Sequence, residues 1–267
     1  PIRARGALDV TFHLVDTPTP LIGVTAAAAP EHPAVRRMVE SFGWLLAGAG
    51  VCLGTVTFVD APGWARARFA GATSADDAVP CGNLPQLLAT SRPGQPTLEL
   101  FLVPSLLASP GDVATVLGVD GTIPGPATVN GTVASGAVVS AEDLRAGSCP
   151  AAGGPPAAPS PLTCGADLVA YVAAHEAGHF LGLYHPSERA GETFDPLSDT
   201  PHCECAACGL SPGACAAGIP AGRCLRADAR CAGGANLMFW QLSAASAGRL
   251  SPEQARLVRS SPLVRDP

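Results

Sequence analysis

The chain contains no lysine, so all sixteen of its basic residues are arginine. Charged residues of either sign are also scarce, at 14% of the 267 residues, and the formal net charge is -6. There is therefore no basic stripe of the kind that binds nucleic acid or an anionic membrane surface. No stretch approaches the roughly 18 uninterrupted apolar residues of a membrane-spanning helix. The composition predicts a protein with no nucleic-acid partner and no membrane span.

Proline and glycine are abundant, with 27 and 30 residues, but the low hydrophobicity of a disordered chain is missing. Hydrophobic residues make up 47% of the chain, which is enough for a sizeable core. A length of 267 residues suits one compact enzyme domain, or two unequal lobes around a cleft. We therefore expect a single loop-rich, monomeric domain over residues 1–267. Because the chain begins at Pro1 rather than methionine, we also expect that a leader was removed or the chain trimmed.

Ten cysteines are present, and six of them crowd into a segment rich in Gly, Ala and Pro. These six are Cys203, Cys205, Cys208, Cys215, Cys224 and Cys231. An even number clustered in such a loop favours disulfides formed in an oxidising compartment, which predicts a secreted or extracytoplasmic protein. The alternative is a structural zinc site, because Cys203-x-Cys205-x-x-Cys208 has suitable ligand spacing. Spacing does not give the disulfide connectivity.

The first half of the chain carries the signals of a mixed sheet with helices packed on it. Residues 8–16 alternate between apolar and polar side chains, which predicts a half-buried strand. Apolar residues at steps of three and four predict a helix over residues 35–46, ending at the glycines that follow. Further strands are predicted at residues 51–59 and 97–103, and a short one within 131–140.

The second half contains a Pro/Ala/Gly-rich loop over residues 149–163 and then two helices. The first of these helices is predicted from Asp167 to Leu181, with Thr163 as its N-cap and Asp167 placed favourably near the positive end of the helix dipole. The stretch Ser251-Pro-Glu-Gln is a capping box with proline at the first helical position. It predicts a final helix of roughly ten residues.

The stretch His175-Glu176-x-x-His179-x-x-Gly182-x-x-His185 carries the chemistry of the chain. Residues four apart share one face of a helix, so His175 and His179 can present their imidazoles to one metal ion. His185 lies too far along for a continuous helix. A turn at Gly182, which can adopt positive φ, would bring His185 back as the third ligand. Glu176 lies beside the metal, where it can act as general base.

This pattern resembles that of the metzincin zinc peptidases, in which the same motif is followed by a methionine turn. The segment Asn236-Leu-Met-Phe-Trp contains Met238, which the resemblance places beneath the zinc-binding imidazoles. The chain is most similar to the pappalysin-like branch, since Asp199-Thr-Pro and a cysteine-rich stretch lie between the two motifs. The resemblance implies an α+β fold. Its upper lobe, residues 1–185, would hold a mixed twisted sheet, two long helices and the zinc cleft. Its lower lobe, residues 186–267, would be irregular, disulfide-rich and ended by a helix.

The chain also departs from the family pattern. Trp240 stands two residues after the methionine, where several metzincin groups have tyrosine; it is a candidate cleft residue, but an indole cannot ligate zinc. Pro186 after the third histidine differs from the usual pappalysin residue. Pappalysin-like enzymes can bind calcium near the cleft, and Asp195 and Asp199 are candidate ligands for such an ion. A solvated acidic loop, or a turn packed against the site, is the alternative for these two residues.

These features predict a secreted zinc-dependent endopeptidase that hydrolyses peptide bonds with metal-activated water and Glu176 as general base. The substrate is a protein or peptide, extended along an exposed sheet edge provided by residues 131–140 or 97–103. A gluzincin is an enzymatic rival, with Glu204 as a carboxylate third ligand. The alternative from another class is a catalytically silent, zinc-containing binding or adhesion module on the same scaffold.

Overall fold

The computed structural model describes the chain at residues 6–15, 24–70, 72–74, 81–92, 94, 96–107, 115–144, 149, 159–226, 228–242 and 248–266. Within these ranges the strands are β1 (Gly6–Leu14), β2 (Val51–Asp60), β3 (Ala72–Ser74), β4 (Leu98–Val103), β5 (Ser105–Leu107), β6 (Thr115–Val116), β7 (Gly118–Asp120), β8 (Ala137–Ser140) and β9 (Val264–Arg265). The helices there are α1 (Pro33–Ala47), α2 (Gly63–Arg68), α3 (Asn83–Leu88), α4 (Gly165–Phe180), α5 (Pro212–Ala216) and α6 (Pro252–Ser260). Short 3-10 turns lie at Ala29–Glu31 and Ala221–Arg223.

The main sheet is mixed, as the sequence predicts, and has the strand order β2-β1-β4-β8-β7. Strand β1 runs parallel to β2 and β4, and β8 runs parallel to β4. Strand β7 is antiparallel to β8 and forms one edge of the sheet. The predicted substrate edge at 97–103 or 131–140 is therefore wrong, because β4 and β8 are each paired on both sides.

The prediction that β1 is half-buried is wrong for its C-terminal part, Val10–Leu14, where both faces are covered, whereas Ala7 and Asp9 are partly exposed. Thr11 and His13 are buried along with the apolar residues between them. A strand in the middle of a parallel sheet has structure packed on both faces, so alternation in its sequence does not mean exposure to water. His13 forms a buried pair with Glu99 on β4, and Asn130 donates a hydrogen bond of 2.8 Å to the same carboxylate.

The largest core lies between the sheet and the two long helices, α1 and α4. Phe12 of β1 is fully buried in it and packs against the rings of Phe42 and Phe58, at centroid distances of 5.9 and 5.7 Å. The predicted helix over 35–46 is confirmed, as are the strands predicted at 51–59 and 97–103. Of residues 131–140, only the last four form a strand. A second, smaller core on the other face of the sheet is built around Phe101 and α3.

Helix α4 begins differently from the prediction. Its N-cap is Cys164 rather than Thr163. Asp167 is fully buried, where Arg37 of α1 donates two hydrogen bonds of 2.7 and 2.9 Å to its carboxylate. Asp167 thus forms an ion pair between the two long helices, in addition to its favourable position near the positive end of the helix dipole. Residues 150–158 of the predicted loop, and residue 16 of the first predicted strand, lie outside the described residues.

Four disulfides are present among the described residues, and they confirm the prediction of a disulfide-stapled segment. The pairs are Cys149–Cys164, Cys203–Cys224, Cys205–Cys215 and Cys208–Cys231. The three cysteines of the structural zinc alternative, Cys203, Cys205 and Cys208, each bond to a different cysteine, although the sulfurs of Cys203, Cys208 and Cys224 also lie within 4.8 Å of one another. Cys52 and Cys81 are free and exposed. The four disulfides fit an extracellular protein.

The final helix is confirmed as α6, and it starts with the capping box that the sequence predicts. The Ser251 side chain accepts a hydrogen bond from the backbone of Gln254, and the Gln254 side chain accepts one from the backbone of Ser251. In the described part of the chain, none of the helices combines the length and apolar character that crossing a bilayer requires.

Candidate metal centre

Three histidine side chains converge at the C-terminal end of α4. The Nε2 atom of His185 lies 3.2 Å from Nε2 of His175 and 3.1 Å from Nε2 of His179. Three nitrogens bound to one tetrahedral ion at ~2.1 Å lie roughly 3.4 Å apart, so these distances suit a shared metal ligand set. The three residues form a group that could hold a metal ion.

The chain reaches this arrangement through a sharp helix end. Helix α4 stops at Phe180, and Gly182 has a φ of +102°, a conformation that favours glycine. The backbone N–H of Gly182 donates to the carbonyl of His179, and that of Leu183 donates to the carbonyl of Gly178, both at 2.9 Å. These two bonds are the Schellman pattern, which satisfies the last helix carbonyls and reverses the chain direction. His185 is thereby returned to the other two histidines.

Each imidazole is oriented by a partner at its second nitrogen. Nδ1 of His175 lies 2.8 Å from the carbonyl oxygen of Leu237, and Nδ1 of His179 lies 2.7 Å from that of Leu183. Nδ1 of His185 lies 3.1 Å from Oε2 of Glu188. Carbonyl and carboxylate oxygens accept, so each Nδ1 carries the proton and each Nε2 presents a lone pair to the centre.

The electrostatic environment favours neutral imidazoles. Burial lowers the pKa of His175 well below its ordinary value, and the neighbouring His179 and His185 lower it further. Burial, with His185 beside it, lowers the pKa of His179 to about 4. Metal ligation needs the unprotonated ring, so no proton has to be displaced from these two residues at neutral pH. The donor set therefore fits a metal ion such as zinc.

Glu176 lies beside the histidines on α4 and is only 6% exposed. Burial raises the pKa of its carboxyl well above the usual range, and the nearby Asp120 raises it further. Strand β7 passes directly against this side chain, because a Cβ at Gly118 would overlap the Glu176 carboxyl group. A glycine at position 118 is what allows this close approach.

Asp120 is a site residue that the sequence analysis missed. Side chains two apart on a strand share a face, so Asp120 lies on the same side of β7 as the Gly118 position next to Glu176. Burial raises the pKa of Asp120 to about 8. Its Oδ2 accepts a hydrogen bond of 3.2 Å from the Thr122 N–H, while Oδ1 is buried without a partner among the described residues. A lone aspartate in a Gly/Pro-punctuated stretch gave no sequence signal of this role.

Met238 is fully buried and lies against α4, where its sulfur fills the space beside Gly178. The turn that carries it is held by Asn236. Its Oδ1 accepts a hydrogen bond from the Met238 N–H, and its Nδ2 donates one to Gln254 of α6, both at 2.8 Å. Since the same turn supplies the Leu237 carbonyl to His175, it joins α6 to the metal centre.

Trp240, the candidate cleft residue, packs into the cysteine-rich part of the chain. Its indole N–H donates a hydrogen bond of 3.0 Å to the carbonyl of Ile219. The guanidinium of Arg189 lies 5.9 Å from the ring centroid. The donor of this side chain is therefore already used within the fold.

The candidate calcium ligands have other partners. Asp199 accepts hydrogen bonds from the Ser251 hydroxyl at 2.6 Å and from the Glu253 N–H at 2.8 Å, so it caps α6. Asp195 accepts from the Thr200 hydroxyl and from the Leu197 N–H. Calcium is not supported by this arrangement. Asp195 Oδ2 is buried without a partner among the described residues.

Glu204, the alternative carboxylate for the third ligand position, is held in an ion pair. Glu204 pairs with Arg230, whose Nε lies 2.9 Å from both carboxylate oxygens. His185, rather than Glu204, belongs to the group of three histidines that could hold a metal ion.

A comparison with solved structures matches the chain to the crystal structure of metalloproteinase-II from Bacteroides fragilis, with 11% sequence identity and a TM-score of 0.44. The match covers 97% of this chain and 53% of that chain, so the present chain spans about half the length of its neighbour. No protein-family model matches the chain, and no curated protein matches it.

Proposed function

We propose that the chain is a secreted zinc-dependent endopeptidase of the metzincin type, similar to the pappalysin-like branch. The convergence of three imidazole Nε2 atoms next to a buried glutamate carries this proposal. Three imidazole nitrogens suit zinc and leave a fourth position for water or substrate. The two lobes would be residues 1–185 and 186–267, with Met238 as the methionine turn below the histidines.

Glu176 is the residue to which we assign proton transfer. Zinc held by the three histidines supplies a Lewis acid to this site. A cation bound there would oppose the burial that raises the pKa of Glu176 and would favour the ionised carboxylate that a base requires. Glu176 would take the proton of the attacking water and return it to the departing amine nitrogen.

The edge strand β7 is the proposed docking strand for the substrate main chain. It is at the edge of the sheet, and Gly118 places its backbone against Glu176. An extended peptide that adds to such an edge has its backbone fixed by hydrogen bonds and its side chains pointing alternately to the two sides. The side chains on one side of such a peptide would face the metal centre.

Val119, whose side chain points to the opposite face of β7 from those of positions 118 and 120, lines a small cavity at the end of this strand. The cavity is lined by Leu84, Pro85, Leu88, Val119, Asp120, Gly121, Val133 and Val138. A peptide side chain directed away from the metal would enter this space, so an apolar residue should be preferred next to the one that faces the metal.

The test is cleavage of casein and of a quenched peptide library by the purified protein, with metal content measured on the same sample. Parallel samples contain 1,10-phenanthroline or the Glu176→Gln variant. We expect about one zinc per chain and cleavage that both controls abolish. Full activity in Glu176→Gln would eliminate the mechanism, and His185→Ala with undiminished zinc content would show that the third ligand is misassigned.

A second candidate is a zinc-containing binding module without turnover. Trp240 favours it, because its N–H is committed to Ile219 and it offers no group to ligate the metal. Zinc at one equivalent per chain with no cleavage of any library peptide would support this candidate over the peptidase.

A further inference from the structure

The segment after His185 forms a short hairpin. Ser187 and Phe194 face each other as an antiparallel bridge. The N–H of Glu188 donates to the carbonyl of Thr193 at 2.9 Å, and the N–H of Gly191 donates to that of Glu188 at 2.8 Å. This 187–194 hairpin fixes the backbone of Glu188, whose carboxylate accepts the Nδ1–H of His185.

The third histidine is supported differently from the other two. His175 and His179 are held by backbone carbonyls of the methionine turn and of the helix end. His185 is held by a side chain that is 47% exposed, and its own side chain is 21% exposed. The third histidine, which is itself partly exposed, thus depends on one carboxylate at the surface.

The hairpin is in turn held by the cysteine-rich segment. The N–H of Cys203 donates a buried hydrogen bond of 2.7 Å to the Ser187 hydroxyl. The N–H of Ile219 donates to the carbonyl of Arg189 at 2.9 Å. Cys203 belongs to the Cys203–Cys224 disulfide, so Ser187, the residue next to Glu188, is hydrogen-bonded directly to the disulfide-bonded segment.

We infer that Glu188 is a positioning residue for the metal centre, held in place through the 187–194 hairpin by the disulfide-bonded segment. The inference rests on the three-histidine centre of the proposed function. A carboxylate that accepts the Nδ1–H of a ligating histidine fixes the ring orientation and tautomer and makes Nε2 a stronger donor. Loss of such a partner typically weakens metal binding roughly 10- to 100-fold.

The competing explanation is an ordinary surface ion pair. Pairs between exposed side chains contribute little to stability and have no reason to affect a metal ion. The affinity for zinc therefore separates the two explanations, because only a positioning role predicts that loss of the Glu188 carboxylate, and not of another carboxylate in the hairpin, lowers this affinity.

The experiment measures zinc affinity by competition with a chromophoric chelator for the full chain and three variants. Glu188→Ala removes the acceptor, Glu188→Gln keeps an uncharged acceptor oxygen, and Glu192→Ala removes an exposed carboxylate from the same hairpin. We expect a loss of roughly 10- to 100-fold in Glu188→Ala, a smaller loss in Glu188→Gln and none in Glu192→Ala. The melting temperature of each metal-free protein should match that of the parent chain.

Equal zinc affinity in Glu188→Ala and the parent chain would overturn the inference and leave the metal centre standing. An equal loss in Glu192→Ala would also overturn it, because the effect would then be one of net charge. A parent chain that binds no zinc would instead overturn the metal centre and the proposed function together. Weaker zinc binding in Glu188→Ala, in a protein that cleaves no peptide, would support Glu188 as the positioning residue and refute only the peptidase activity.

Discussion

The candidate metal centre lies where two differently built regions meet. The sheet region, with β1, β4, β8, α1 and α4, is held by a large apolar core. Among its described residues, the cysteine-rich segment, 203–231, has only the five-residue α5 and one 3-10 turn as regular helices, and its small core consists largely of half-cystines. Helix α4 carries His175 and His179, whereas the hairpin that follows His185 is hydrogen-bonded to the cysteine-rich segment. One side of the candidate site is therefore positioned by burial, and the other through hydrogen bonds to a disulfide-bonded segment.

The comparison indicates that a buried core stabilises the whole fold, whereas disulfide bonds stabilise mainly the loops that they close. A large core is cooperative, so a defect in it should weaken the whole fold. A small disulfide-bonded loop loses stability locally when a bridge is removed, because the bridge mainly restricts that loop in the unfolded chain. Three predictions test this contrast.

The largest expected effect is from Phe12→Ala in the sheet region. Phe12 is fully buried between Phe42 and Phe58, so truncation leaves a cavity and costs about 3–5 kcal/mol. Urea denaturation followed by fluorescence and by circular dichroism should show one transition at a lower midpoint. Thr57→Ala, at an exposed position on β2, is the control and should shift the midpoint little. A loss below about 1 kcal/mol for Phe12→Ala would contradict a single cooperative core.

The next effect is expected from replacing Cys205 and Cys215 together by serine. Their bridge closes a loop with a sequence separation of 10, for which chain entropy gives about 3 kcal/mol. Hydrogen exchange should show lost protection over residues 203–231 while β1 and α4 stay protected. If β1 and α4 lost protection equally, the two regions would form one cooperative unit and the contrast would fail.

The two regions also differ in how far the sequence predicted them. Apolar spacing gave α1, and the Ser251-Pro-Glu-Gln capping box gave α6, since local signals fix both. The His175–His185 motif gave the histidines that the structure brings together, because its spacing encodes both a helix face and a turn. Connectivity of the cysteines was beyond prediction, since it depends on which loops meet in space.

Tertiary context also explains the errors within the sheet region. The burial of Thr11 and His13 follows from their central place in a parallel sheet, which alternation along one strand does not reveal. The N-cap at Cys164 depends on a helix start that Asp167 anchors to Arg37 across the fold. The edge at β7 depends on strand order, and that order was not available from the sequence.

The smallest expected effect concerns Asp120, a carboxyl of the sheet region that, unlike Glu99 and Asp167, has no basic partner among the described residues. Its Oδ1 is buried without a partner among the described residues, and burial raises its pKa from 3.8 to about 8. The native state thus keeps the proton up to about pH 8, whereas the unfolded chain releases it near pH 4. Between these values the unfolded state binds fewer protons, so the free energy of unfolding falls as the pH rises.

Asp120→Asn should therefore stabilise the protein, because asparagine has no proton to lose. We expect the gain to be near zero at pH 4, to grow up to pH 8, and to reach about 2 kcal/mol, since partial exposure reduces the full cost of the charge. Urea denaturation at pH 4, 6 and 8.5 measures it, with Asp228→Asn, an exposed aspartate of the cysteine-rich segment, as the control. A gain independent of pH would refute the buried charge as its cause. A gain that grows between pH 4 and pH 8 would mean that the sheet region keeps a destabilising carboxyl beside Glu176. The stability of the fold does not explain such a residue, whereas a role at the site would.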